Sequence, residues 1–96
     1  MKTTKEQILK IVHDPQSQWS PFDDQQKRNF IGIWETRLMM AIEHHKSEDL
    51  RLLAEGVLNF VRDRQPDRLR LYGQSNAKSS MAFLFDMETE EYFQII

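Results

Sequence analysis

Arg62, Arg64, Arg68 and Arg70 crowd the stretch on either side of Pro66. A guanidinium presents a planar fork of donors that suits phosphate and carboxylate alike, so this run is the natural candidate for contact with nucleic acid or with an acidic protein surface. Asp63 and Asp67 interrupt the run and leave it at about +2, which is weak for binding governed by phosphate neutralisation. The competing expectation is a solvated junction whose arginines form ion pairs, some of them to the acidic turn near Glu88, Glu90 and Glu91.

Histidine offers a second chemistry. His44 and His45 are adjacent, and adjacent residues on a helix point about 100° apart, so the pair is poorly placed to hold one metal ion. A helix running on through Ser47 would give His44 with Glu48, and His45 with Asp49, the four-residue spacing that suits ligands. The plainer expectation is imidazole charge at a helix C-terminus, where the dipole favours it. His13 beside Asp14 is only a sequence neighbour pair, which does not establish the geometry that a base and its orienting group need.

Several chemistries lack their residues altogether. The chain has no nucleophile elbow, dinucleotide fingerprint or His-Glu-x-x-His motif, and Gly32, Gly56 and Gly73 are too scattered to cradle a phosphate. Without cysteine there is no disulfide, thiol catalysis or thiolate metal site, and a reducing, cytoplasmic home is the simplest expectation. The reading therefore assigns no catalytic residue, no metal site and no cofactor. No apolar run approaches the roughly 18 residues of a membrane span, so no membrane partner is expected either. A net charge of -2 gives no general attraction for nucleic acid.

The elements that must position these residues change rhythm at Pro66. Before it, apolar residues recur at helical spacing; after it they alternate. Ninety-six residues suit a single domain, with a helical part over residues 4–65 and a β-rich part over 67–96. Thr4 and Gln7 have the spacing of a capping box and predict a short helix to about residue 13, ended by Asp14-Pro15. Ser20-Pro21 predicts the start of a long helix reaching His45 or Lys46, with Phe30, Trp34, Leu38, Ala41 and Ile42 facing inward. Ser47-Glu48-Asp49 predicts a further N-cap, so the next helix, residues 48–64, should fold back on the long one as a hairpin; one continuous helix over 21–64 is the alternative. Leu50, Leu53, Ala54, Val57, Leu58 and Val61 form its inner stripe, and Gly56 suggests a close helix crossing.

Beyond Pro66, Leu69 to Tyr72 alternates as a strand stopping at Gly73, Gln74 to Ser79 has loop composition, and Met81 to Phe85 and Tyr92 to Ile96 suit a hairpin. A helix capped by Asp86 competes for that last segment. The expected fold is thus α+β, with a short N-terminal helix, a long helical hairpin and a two- or three-stranded antiparallel sheet; an all-α bundle is the alternative. Phe83 and Phe85 would share one sheet face and Ala82 and Leu84 the other, so a sheet apolar on both faces needs either a helix on each side or a partner.

Taken together, the residues suggest a small non-enzymatic protein that binds another protein, as adaptor, inhibitor or regulator, and that self-associates. Ile33, Met40, Phe83, Phe85, Tyr92 and Ile96 are the expected partner-binding residues, and Arg62, Arg64, Arg68 and Arg70 the nucleic-acid alternative. The final strand is also a candidate open edge for pairing.

Overall fold

The computed structural model describes residues 4–14, 21–45, 47–75 and 80–96. Helix α1 spans Lys5–Val12, α2 spans Asp24–Glu43 and α3 spans Glu48–Arg62. A turn of 3-10 helix at Pro66–Arg68 leads into strands β1 (Leu69–Ser75), β2 (Ser80–Asp86) and β3 (Tyr92–Gln94). The strands form one antiparallel sheet in the order β1-β2-β3, with Leu71 opposite Leu84 and Leu84 opposite Phe93. The fold is α+β, and residues 81–96 form the strand hairpin rather than a strand and a helix.

Each helix starts where a side chain can satisfy its orphan N-H groups. At α1 the Thr4 and Gln7 side chains each bond the other's backbone N-H, completing the capping box. For α2 the start differs from the Ser20-Pro21 expectation. Asp23 is the N-cap, forming a capping box with Gln26, while Pro21 bridges Arg70 and the Phe22 N-H donates to the Leu69 carbonyl. Two start signals three residues apart competed, and Pro21 is drawn onto the β1 edge. Ser20 lies outside the described residues, as does the connector over 15–20. Ser47 caps α3 through its hydroxyl to the Leu50 N-H. Between α2 and α3 the chain turns through His44 and His45, the latter at φ 50°, so these helices are a hairpin and not one helix. The lengthwise His44–Glu48 spacing therefore never forms on a helix.

Two apolar clusters cover the two sheet faces. Leu69 and Leu84 pack with Trp34, Ala54, Val57, Leu58, Phe60 and Val61 of the hairpin. On the opposite face Tyr72, Phe83 and Phe85 pack with Ile8 and Val12 of α1. The doubly apolar sheet is thus answered by a helix on each side.

Gly56 serves a different contact from the helix crossing expected of it. The Phe93 ring of β3 occupies the space where a side chain would begin, with ring carbons 2.5 and 2.6 Å from an ideal Cβ position. Such distances are far inside van der Waals contact, so the ring must move before any side chain fits. Phe93 is itself held against Phe60, centroids 6.3 Å apart. Gly56→Ala gains about 1 kcal/mol in helix propensity but overpacks this contact, at a cost of about 1–3 kcal/mol. We expect net destabilisation by about 1 kcal/mol, reversed to net stabilisation when Phe93→Leu is added. Urea denaturation of the two single variants and the double variant checks this; a stabilised Gly56→Ala single variant counts against it.

Candidate functional site

The arginine run is gathered by the 3-10 turn, which brings the end of α3 beside the β2–β3 turn. At the centre of this joint sits the Asp86 carboxylate, fully buried. Arg68 grips it with both Nε (3.2 Å) and Nη2 (2.7 Å), and Arg64 Nε donates to the same carboxylate at 2.8 Å. The backbone N-H groups of Glu88 and Thr89 add two donors, at 2.9 and 3.3 Å. Burial alone pushes this carboxyl's pKa up, but the Arg68 hydrogen bond and those backbone donors outweigh it and hold the group well below the usual carboxylate range.

Outer carboxylates complete the joint. Arg64 reaches Glu91 at 3.2 Å and lies over the Phe60 ring at 3.7 Å, while Arg68 reaches Glu88 at 3.2 Å. Lys27 donates to the Arg64 carbonyl, tying in α2. Arg62 instead crosses to Glu35 of α2 at 2.9 Å, and Arg70 donates to the Asp67 and Leu69 carbonyls. The four arginines therefore do not converge on one open face. Of the acidic partners expected for them, Glu88 and Glu91 take part, whereas Glu90 lies near His13 (4.0 Å). Asp86, the partner that organises the joint, was missed because its sequence context reads as a turn or a helix cap. The strand register that sets it opposite Leu69, beside Arg68, is a property of the folded sheet.

The apolar candidates separate more sharply. Phe83 and Phe85 lie inside the molecule beneath α1 and offer no surface to a partner, so they leave the list of binding residues. Tyr92 is half-buried beside the same cluster. Ile33, Met40 and Ile96 remain in solvent, at 52, 50 and 60% exposure. Ile33 and Met40 each precede a buried residue of α2, Trp34 and Ala41, by one position, which turns them about 100° away from the core.

No family model, curated protein or solved structure matches this chain. Its site must therefore be read from geometry.

The sheet meets the hairpin near its open end, through Phe22–Leu69 and Arg64–Asp86, and the turn between α2 and α3 is at the hairpin's other end. Side chains expected to face inward are left outside there: Ile42 is 56% exposed and Leu50, 36%. Among the described residues eight large apolar side chains are exposed, and six of them (Ile33, Met39, Met40, Ile42, Leu50 and Leu52) fall within residues 33–52, on the α2–α3 hairpin. Arg37, Met40, Ala41 and Leu50 line a hollow there of about 270 Å³. Among the described residues no group of three metal-ligating side chains forms, and no helix is long and apolar enough to cross a membrane.

Proposed function

We propose that this chain works by binding another protein, as a non-enzymatic adaptor, inhibitor or regulator, and that the turn end of the α2–α3 hairpin is its contact surface. The observation that carries the reading is an apolar hollow lined by exposed Met40 and Leu50 and by no residue of the sheet, with Ile33 exposed about two turns earlier on α2. Such a patch costs solubility unless something covers it. Methionine at its centre suits an adaptable interface. The absence of cysteine supports a cytoplasmic setting.

Cross-linked capture from the native cell extract, with and without nuclease, tests this. The expected partner survives nuclease, is retained by Arg62→Ala and is lost on Met40→Lys. Capture that is insensitive to Met40→Lys but abolished by nuclease would sink the proposal in favour of nucleic acid. That alternative is disfavoured here because Arg64 and Arg68 direct their donors to Asp86, leaving little basic charge to offer phosphate.

Self-association is a second reading, drawn from another surface. The Asp86 N-H donates to Glu91 and the Ile95 N-H to Ala82, so alternate residues of the last strand face β2 and Tyr92 turns its backbone groups outward. With Ile96 exposed at the strand's end, this edge suits antiparallel pairing with a second copy. Sedimentation at high micromolar concentration should show a dimer; a monodisperse monomer would rule it out.

A further inference from the structure

Among the described residues two arginines of the hairpin have no carboxylate within 4 Å, Arg28, which bonds the Gln25 amide, and Arg37, the one of the two that lines the hollow. Arg51, Arg62, Arg64 and Arg68 each have a carboxylate within 4 Å. Arg37 has none among the described residues; its guanidinium lies over the Trp34 ring, 4.5 Å from the centroid. Of the acids of α3, Glu48 and Glu55 are engaged by Arg51, at 3.3 and 2.9 Å, and Asp49 lies more than 4 Å from the Arg37 guanidinium. Arg37 also lines the hollow formed by Met40, Ala41 and Leu50.

From this juxtaposition we infer that the hollow takes an acidic, apolar peptide segment of a partner protein, one large side chain seated against Met40, Ala41 and Leu50 and a neighbouring carboxylate on Arg37. Stacking on Trp34 holds the guanidinium in place without consuming its donors, which reduces the ordering cost of pairing it. A carboxylate brought there with an apolar side chain is partly shielded from water, where an ion pair counts for more than on an open surface. A basic segment meets the opposite effect, since Arg37 would face it across the same hollow. Charge thus sets the preference and the apolar contact supplies the hold. The inference rests on the protein-binding reading above and specifies its partner.

Random short peptides displayed on phage, selected on the full chain and counter-selected on Arg37→Glu and Met40→Lys, test it. Both residues are exposed, so both variants should keep the native circular dichroism spectrum. The expected consensus pairs a large aliphatic or aromatic residue with Asp or Glu within one helical turn, and its peptides should bind Arg37→Glu roughly 10- to 100-fold more weakly than the unaltered chain. A consensus with basic or uncharged flanks, still dependent on Met40, overturns the acidic preference while leaving the protein-binding reading standing. If no peptide is enriched and the chain dimerises through Met40, a second copy occupies the hollow and the inference falls. Should neither enrichment nor Met40-dependent capture occur, both readings fall together.

Discussion

Asp86→Ala is expected to lower the free energy of unfolding by about 3–5 kcal/mol, the cost of removing one partner from a buried, hydrogen-bonded ion pair. For a domain whose total stability is of order 5–15 kcal/mol, that is a large fraction. The substitution removes the acceptor for five donors at once, from Arg64, Arg68, Glu88 and Thr89. Glu88 and Glu91 remain as partners but sit at the solvent edge, where pairing is worth about 0–1 kcal/mol. Adding Arg68→Met to Asp86→Ala should recover part of the loss, because one of the two stranded guanidiniums is then gone.

The same carboxylate sets an acid dependence. Its native pKa lies below the value of an unfolded aspartate, about 3.9, so the unfolded chain takes up the proton first. Its contribution is therefore complete above about pH 5 and declines as pH falls through 4 toward the native value. Urea midpoints measured from pH 6 down to pH 2 should fall more steeply for the unaltered chain than for Asp86→Ala. Parallel curves would show that Asp86 is not the group responsible.

Phe83→Ala is the second large effect, at about 3–5 kcal/mol. Phe83 is completely buried and stacked on Tyr72, with centroids 4.9 Å apart and planes within 9°. It is also part of the floor on which Ile8 and Val12 rest, so truncating it loosens α1 as well as opening a cavity. Amide exchange should accelerate most in α1, while α2 and α3, packed on the other face, lose protection only as global stability falls. By contrast, Ile33→Ala on the exposed side of α2 should change stability by no more than about 0.5 kcal/mol. Equal losses for the two variants would contradict the placement of both residues.

What could be read from the residues was local. Thr4 with Gln7 and Ser47 with the acids after it marked helix starts because each cap bonds within three residues of itself. Pro21 was misread because what holds it, the bridge to Arg70, lies 49 positions away in the chain. Strand alternation put Phe83 and Phe85 on one face and Leu84 on the other, as found. Whether that face was covered depended on where α1 docks, which periodicity does not encode. Ile42 shows the same limit: its spacing fits the inner stripe, yet it is left exposed. The candidate site suffered most. Met40 and Ile33 are surplus on spacing alone, but that Arg37 lines the hollow while Arg51, Arg62, Arg64 and Arg68 hold carboxylates depends on the folded geometry.

The docking of α1 also bears on how the chain is made. Ile8 leaves the ribosome about 75 residues ahead of Phe83, the residue beneath it. At roughly 5–20 residues per second that is an interval of about 4–15 s. Throughout it the apolar stripe of α1 has no native surface to rest on, and in isolation a helix of eight residues barely persists in water. Helix α1 is therefore secured only after β2, about 75 residues further along the chain, has been made.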